Sequence, residues 1–347
     1  MSFPFAARLR QIPELWRTSE MTRGIILIIL IGLASGLGAV LFRWMVSGFT
    51  TLFFEGGETA FGFFGKYYVI ILPALGGLIV GLLIYFLARE AKGHGVPEVM
   101  LAVNSHGGRI RSRVAVVKAL ASAICIGSGG SAGREGPIIQ IGSTIGSTVG
   151  QWFRLPEDWV KLLVACGAAG GIAGTFNAPL AGIFFSLELI LRRFSPRNFI
   201  LVGLSAITAT AISYAFWGNS PTFTMIPEYT WSSGWELPLY IVLGIVAAFI
   251  AKGFIIALYR SEDLFDTWHF PNYLKPVFGG LAVGLIGFFY PQIFGVGYEA
   301  IETALLGEFA VGLLIGLCLL KIVATSLTLG SGGSGGIFAP SPVSYTH

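Results

Sequence analysis

The feature that most constrains this chain is an internal repeat. Residues 118–137, KALASAICIGSGGSAGREGP, return as residues 321–340, KIVATSLTLGSGGSGGIFAP, with nine identities in twenty positions at an offset of 203. A second pair of segments, residues 73–87 and 276–290, keeps the same offset. Each copy of the first pair is an apolar run that breaks into SGGSxG and ends in proline, a pattern typical of a membrane helix interrupted at depth. The repeat therefore predicts two related halves with the functional site at the breaks.

The composition places the chain in a membrane. Of its 347 residues, 54% are hydrophobic and only 12% are charged, whereas a soluble domain carries about 25% charged residues. The small net charge of +4 gives no reason to expect nucleic acid as a partner. Cys125, Cys166 and Cys318 lie in apolar runs without metal-ligand spacing, so we expect no metal, no cofactor and no disulfide framework. We predict an all-α polytopic membrane protein.

The distribution of charge predicts the topology. The apolar stretch 24–46 follows a basic segment and lacks a cleavage site, so it is expected to remain as the first spanning helix, followed by an acidic outside segment, residues 53–68. Basic loops remain on the cytoplasmic side of a membrane. These loops are residues 8–23, 89–113 and 192–197. If the mixed segment 252–275 is also inside, the two halves run in opposite directions and form an inverted-topology repeat.

The repeat also divides the chain into segments. The first copy continues for about 80 residues beyond Pro137, whereas the second stops seven residues after Pro340. We therefore interpret the chain as C-terminally truncated. The predicted segments are a cytoplasmic N-terminal segment (1–23), the first membrane repeat (24–216), an extracytoplasmic loop (217–236), an incomplete second membrane repeat (237–341) and a tail that does not look native (342–347).

Four breaks couple glycine with a proline that can start a helix. They are GHGVP at residues 93–97, GREGP at 133–137, GTFNAPLAG at 174–182 and GGIFAP at 335–340. Proline loses no hydrogen bond in the first helical turn, and glycine lets the backbone approach a ligand closely. A helix N-terminus carries about +0.5 of an elementary charge and unpaired N–H groups. Several converging N-termini therefore predict a site for an anion that must also leave again.

These motifs resemble the signature stretches of the CLC family of voltage-gated chloride channels and H+/anion exchangers. GREGP, GIFAP, GHGVP and NAPLAG occur in the family's order, and the likeness covers residues 24–341. The resemblance implies a CLC-like fold, a homodimer in the lipid bilayer and one pathway per subunit for chloride or a similar anion. It also implies protons as a second partner in the exchangers. Together with the basic N-terminal segment, we expect an integral, multi-pass protein of a bacterial-type plasma membrane with a cytoplasmic N-terminus.

The resemblance assigns roles to single residues. Glu135 would be the gate, because its carboxylate competes with the anion and swings away when it is protonated or displaced. Ile337 and Phe338 would present backbone amides to the central anion, and the Phe338 ring would narrow the path. Lys118 and Lys321 would add positive potential, with a snorkelling or helix-terminal role as the equal alternative. The full set of anion-binding candidates is His94, Gly95, Val96, Gly133, Arg134, Gly136, Ile337, Phe338 and Ala339.

Two positions depart from the family pattern. His94 stands where many members place a serine that touches the anion, so either its imidazole takes part or it turns aside while backbone N–H groups coordinate. Leu189 stands where exchangers usually carry an inner glutamate. Leucine cannot relay a proton, which favours a channel over coupled exchange, and a proton-coupled antiporter with another proton route is the alternative. The neighbouring Glu188 is expected to pair with Arg192 at i+4.

Two further classes of protein fit parts of the sequence pattern. Ser131 and Ser334 both lie in GxSxG sequences, which also occur in serine hydrolases. A glycine-rich break generates this pattern easily, so an intramembrane serine hydrolase is the remote alternative and we expect no enzyme. An inverted repeat can also carry another solute. Selective transmembrane transport of chloride and similar small anions, gated by Glu135, is the predicted function.

Overall fold

The structure is a computed structural model that describes residues 12–218 and 233–338. Ala339, Pro340, the tail and the greater part of the predicted loop 217–236 lie outside the described residues. The described part is helical. Its helices are α1 (Ile12–Phe61), α2 (Tyr68–Leu87), α3 (Val96–Ser105), α4 (Arg113–Gly127), α5 (Glu135–Trp152), α6 (Glu157–Phe176), α7 (Pro179–Phe185), α8 (Pro196–Trp217), α9 (Glu236–Thr267), α10 (Lys275–Phe289), α11 (Tyr298–Leu305) and α12 (Val311–Gly330).

The described residues contain five helical stretches long and apolar enough to cross a membrane. The first of them runs through both α1 and α2. The stretches are Met21–Leu87, Glu157–Phe176, Pro196–Trp217, Glu236–Thr267 and Val311–Gly330. The prediction of an all-α polytopic membrane protein is confirmed.

The first spanning helix is longer than the sequence predicted. α1 has 50 residues and continues through residues 53–61, which we expected to belong to an outside loop. Phe49 and Phe53 explain the continuation, because both pack against the buried apolar cluster that α2 and α4 form. Between α1 and α2 the structure has only the short 3₁₀ segment Gly62–Tyr67.

The basic loops lie together at one end of the molecule. Directly after the basic segment 8–23, within α1, a Cβ on Gly24 would collide with the indole of Trp159. The Arg197 guanidinium lies over the same indole, 5.4 Å from its ring centroid. The loop after α3 reaches this end as well, since Gly107 packs against Glu157 beside Trp159. Three basic segments that are distant in sequence are therefore neighbours in space.

Two ion pairs extend this end to the second half of the chain. Arg111 pairs with Glu90, and Lys92 Nζ lies 3.4 Å from Asp266 Oδ1 near the end of α9. The mixed segment 252–275 therefore lies at the basic end. Because α2 ends there and its repeat copy α10 begins there, the two copies run in opposite directions. The inverted-topology repeat is confirmed.

The packing between α2 and α10 is reciprocal. A Cβ on Gly77 would collide with the carbonyl of Pro276, and a Cβ on Gly280 would collide with the carbonyl of Pro73. Each glycine and each proline is the repeat counterpart of the other, since 77 + 203 = 280 and 73 + 203 = 276. Reciprocal contacts are the property of a two-fold relation. The halves thus pack about a pseudo-two-fold axis.

Small residues bring α5 close to the buried helix α6. A Cβ on Gly142 would collide with the carbonyl of Gly167, and one on Gly146 with the carbonyl of Leu163. Close approach at small residues is the usual basis of helix packing in membranes. It fixes α5, whose first residue is Glu135.

Candidate anion-binding site

The two duplicated breaks meet at a pair of glycines. The Gly133 N–H donates to the Gly336 carbonyl at 2.7 Å, and the Gly336 N–H donates to the Gly133 carbonyl at 2.6 Å. These residues are repeat counterparts, since 133 + 203 = 336, so the pair lies on the pseudo-two-fold axis. The Gly133 amide, a predicted anion ligand, is engaged in this pairing and serves to join the two halves.

A third break joins the same place. The Gly93 N–H donates to the Gly333 carbonyl at 3.1 Å, and the Gly335 N–H donates to the Gly93 carbonyl at 3.3 Å. A Cβ on Gly136 would collide with the carbonyl of His94 and would lie 3.1 Å from the Gly336 Cα. Glycine is required at position 136 because backbone from all three breaks meets there.

The helices after two of the breaks start inside the membrane. α3 begins at Val96 after Gly95, whose φ of 84° suits glycine, and has proline in its first turn. Its far end lies at the basic end of the molecule. Ten residues span about 15 Å, and the hydrocarbon core is about 30 Å thick, so the N-terminus of α3 lies near the middle of the bilayer. α5 runs the same way, because its Ser147 hydroxyl donates to the Gly108 carbonyl at 2.6 Å.

The Glu135 carboxylate lies at this convergence. Its side chain is at the first residue of α5 and is only 6% exposed. Oε1 accepts a hydrogen bond from the Tyr298 hydroxyl at 2.8 Å. Oε2 faces the second break, since a Cβ on Gly336 would lie 3.2 Å from it. A buried carboxylate thus stands next to a helix N-terminus, where negative charge is favoured.

Tyr298 is a site residue that the sequence analysis missed. Its ring lies under the Arg134 guanidinium, and Cζ of Arg134 is 4.7 Å from the centroid of the Tyr298 ring. The signal was present in the repeat, because Gly297 and Tyr298 correspond to Gly95 and Val96 at an offset of 202. Tyr298 begins α11 just as Val96 begins α3.

The two repeat lysines hold the loops that precede these helices. Lys118 Nζ donates to the carbonyls of Ala91 at 3.1 Å and Gly93 at 2.7 Å. Lys321 Nζ donates to the carbonyls of Ile293 and Gly295, both at 2.9 Å. Both side chains are buried. Neither lysine snorkels to an interface, and each holds one of the loops near the point where the breaks meet.

The serine of each GxSxG sequence forms a hydroxyl pair with a residue of the other half. Ser131 Oγ lies 3.1 Å from Thr325 Oγ1, and Ser334 Oγ lies 2.9 Å from Ser122 Oγ. Ser122 and Thr325 are repeat counterparts, as are Ser131 and Ser334, so the two pairs are the same contact made twice. Both serines are fully buried. Their position explains the duplicated motif without a nucleophile.

Phe338 contacts the helix that starts in the fourth break. α7 begins at Pro179 in NAPLAG and ends at Phe185. The Phe185 and Phe338 rings meet edge to face at 5.8 Å between centroids. Phe338 is 40% exposed, whereas the Ile337 side chain packs against a buried apolar cluster. The predicted contribution of Ala339 lies outside the described residues.

The expected salt bridge between Glu188 and Arg192 is not formed among the described residues. The segment Ser186–Leu191 is a π-helix, and Arg192 ends it in a left-handed conformation with φ of 53°. The wider spacing of a π-helix takes residues i and i+4 out of line. The prediction of this pair was wrong because it assumed an α-helix. Leu189 lies within the same π-helical segment.

No group of three or more His, Cys, Asp or Glu side chains that could hold a metal ion occurs within residues 12–218 and 233–338. The polar groups that these described residues bring to the site include backbone amides, the lysines Lys118 and Lys321, the Arg134 guanidinium, the Glu135 carboxylate and the Tyr298 phenol. An inverted repeat that joins broken helices around such groups defines a class of membrane transport protein.

The chain belongs to the voltage-gated chloride channel (CLC) family, whose model matches residues 76–343. It is 30% identical over 275 residues to a putative ClcB-like chloride channel protein of Ralstonia nicotianae, covering 78% of this chain and 64% of that protein. It is 34% identical over 280 residues to the H+/Cl− exchange transporter ClcA of Salmonella arizonae, covering 78% of this chain and 58% of that protein. The chain thus spans less than two thirds of the length of these relatives.

Solved structures share the fold. A slow cyanobacterial Cl−/H+ antiporter matches with a TM-score of 0.82 and 25% identity, over 92% of this chain and 76% of that one. A CLC-type fluoride/proton antiporter matches with a TM-score of 0.78 and 26% identity, over 92% of this chain and 78% of that one. The predicted family and CLC-like fold are confirmed.

Proposed function

We propose that this chain forms the pathway of a CLC transport protein for chloride or a similar small anion. The observation that carries the proposal is the buried Glu135 carboxylate at the point where the breaks of both halves meet. A carboxylate at membrane depth is unfavourable unless it serves a function. Placed at a helix N-terminus, it takes the position that a bound anion would take.

Glu135 acts as the gate in this proposal. While it is ionised and hydrogen-bonded to Tyr298, its carboxylate competes with an anion for the outer part of the pathway. Protonation or displacement removes this competitor. The central anion would meet the N-termini of α3 and α5, with His94, Gly95, Val96 and Gly136 around them. The backbone of Ile337 and Phe338 would complete the cradle.

Charges around the cradle favour an anion without binding it irreversibly. Lys118 and Lys321 are each bonded to two carbonyls and contribute positive potential from behind the loops. Arg134 lies over the Tyr298 ring, where it acts as an entrance charge. The partial charges of helix ends, and lysines that are already hydrogen-bonded to carbonyls, suit an ion that must be released again.

Passive conduction is our first candidate for the mode of transport, because the apolar Leu189 replaces the usual proton-carrying residue. Proton-coupled antiport by another route is the second candidate. It is favoured by the two solved structures with the same fold, since both of those proteins are antiporters.

The surface of the second half suits a bilayer and a second copy of the chain. Ile241 and Phe249 on α9 are 67% and 72% exposed, and Ile315 on α12 is 60% exposed. Such an apolar surface must be covered by lipid or protein. We propose a homodimer in a bacterial-type plasma membrane, with the basic end of the molecule in the cytoplasm.

The test is chloride efflux from liposomes that contain the purified protein, measured from pH 4 to pH 8. We expect the wild type to be activated by acid. The variant Glu135→Gln should lose this pH dependence and should pass about tenfold more chloride at neutral pH, a change of ~1.4 kcal/mol. Glu188→Gln, at an exposed glutamate in the π-helical segment, is the matched control and should behave as the wild type.

Two outcomes would contradict the proposal. Glu135→Gln with the wild-type pH profile would exclude Glu135 as the gate, and flux of cations in place of anions would exclude the anion pathway. Paired chloride and pH electrodes in the same experiment separate the two modes. Passive conduction predicts no proton movement against its gradient, whereas antiport predicts proton uptake driven by chloride.

A further inference from the structure

We infer that Tyr298 is a positioning residue that holds the Glu135 carboxylate in the closed state of the gate. The inference rests on the proposed function of Glu135 and adds a residue from the other half of the chain. The Tyr298 hydroxyl donates to Oε1 at 2.8 Å across 163 positions of sequence. The gate of the first half is therefore held by a side chain of the second half.

The phenol is fixed from two sides. On one side, the Arg134 guanidinium lies 4.7 Å from the centroid of the ring, an attractive cation–π arrangement. On the other side, Lys321 fixes the loop before α11, because it is bonded to the Gly295 carbonyl at 2.9 Å. A Cβ on Gly297 would lie 3.2 Å from Lys321 Nζ. A donor fixed in this way loses little conformational entropy when it binds the carboxylate.

The groups around Glu135 decide in which direction the loss of the Tyr298 hydroxyl should shift the pH at which the gate opens. Lys321 on α12 interacts electrostatically with Glu135, and Arg134 precedes it in the chain. Arg43 on α1 interacts with both Arg134 and Tyr298. The Tyr298 hydroxyl donates directly to Oε1, and a donor of this kind favours the ionised carboxylate over the protonated one. Its removal should therefore open the gate at higher pH and leave the positive charges in place.

The test is Tyr298→Phe, which keeps the ring beneath Arg134 and removes the hydroxyl that donates to Glu135 and is also hydrogen-bonded to Arg134. Chloride efflux from liposomes is measured between pH 4 and pH 8. We expect efflux at pH 7 to rise about threefold to tenfold, and the pH of half-maximal efflux to move up by about 0.5 to 1 unit. Tyr259→Phe, at a 58% exposed tyrosine of α9, is the matched control and should leave the profile unchanged.

A second background separates positioning from a general structural effect. In the Glu135→Gln protein, adding Tyr298→Phe should cause no further shift of the pH profile, because the carboxylate that Tyr298 holds is gone. Incorporation of 3-fluorotyrosine at position 298 provides a variant that retains the fold. Its phenol is a stronger donor, so the pH of half-maximal efflux should move down.

The outcomes distinguish this inference from the proposed function. If Glu135→Gln abolishes the pH dependence while Tyr298→Phe and the fluorotyrosine protein keep the wild-type profile, the role of Tyr298 is refuted and the gate stands. If Tyr298→Phe shifts the profile equally in the Glu135→Gln background, Tyr298 acts on another group. If Glu135→Gln itself keeps the wild-type profile, the proposed gate fails and the role of Tyr298 fails with it.

Discussion

The two copies of the broken helix share a scaffold and differ in the residues that the break presents. Lys118 in α4 and Lys321 in α12 each hold two loop carbonyls, and the breaks pair through Gly133 and Gly336. The first break then presents Glu135, whereas the second presents Ile337 and Phe338 at the corresponding place. Duplication has preserved the backbone that shapes the site while the chemistry of the two copies has diverged.

The largest effect should come from the residue after the gate. Gly136 corresponds to Ala339, since 136 + 203 = 339, so the second copy has a Cβ where the first has none. Gly136→Ala would force that Cβ against the His94 carbonyl. We expect a loss of ~3 kcal/mol in stability, because backbone cannot move aside as a side chain does. The loss of stability is measured by thermal unfolding in detergent, with tryptophan fluorescence as the signal.

Gly316→Ala is the control for this substitution. Gly316 lies in α12 with open space around the position of a Cβ, so alanine there should stabilise the helix by up to ~1 kcal/mol. Equal midpoints for Gly136→Ala and the wild type would show that the three breaks do not meet as closely as described.

Substitution of the two repeat lysines should have the second-largest effect. It tests whether the two halves hold their loops in the same way. Lys118→Met and Lys321→Met each leave one buried and one partly buried carbonyl without their lysine donor, and both should cost ~2–3 kcal/mol of stability. The exposed Lys252 on α9 supplies the control Lys252→Met, which should leave the unfolding midpoint unchanged. A large loss of stability in one lysine variant and none in the other would show that the two halves do not use the lysine in the same way.

The architecture could be predicted from the sequence because its evidence is local. An offset shared by two segments gave the duplication, and glycine followed by proline marked three of the helix starts that the structure describes. The inverted direction of the halves rested on charge in the loops, and the ion pairs of Glu90 and Lys92 confirm it.

The remaining features depend on tertiary contacts. α1 continues through an acidic segment because Phe49 and Phe53 find an apolar cluster elsewhere in the chain. The π-helix that separates Glu188 from Arg192 has no signature in the residue pattern that we used. Tyr298 gains its importance from a carboxylate in the other half. In each case the deciding partner lies far away in sequence.

The smallest effect should come from the hydroxyl pairs across the repeat. Ser122→Ala and Thr325→Val each remove one partner of a buried pair, and each should cost ~1 kcal/mol. Double-mutant cycles with Ser334→Ala and Ser131→Ala, respectively, measure the two coupling energies. The two-fold relation predicts that they agree within ~0.5 kcal/mol; coupling in one pair alone would show that only one half uses this contact.

The most direct test of the central claim is the anomalous scattering of bromide in crystals of the wild type and of Glu135→Gln. Our account predicts a bromide ion beside the N-terminus of α3 and the backbone of Ile337 and Phe338 in both proteins. It predicts a further ion in Glu135→Gln alone, where the carboxylate lay and within hydrogen-bonding reach of the Tyr298 hydroxyl. Identical bromide positions in the two proteins would contradict the claim that the first break carries a gate that imitates the anion.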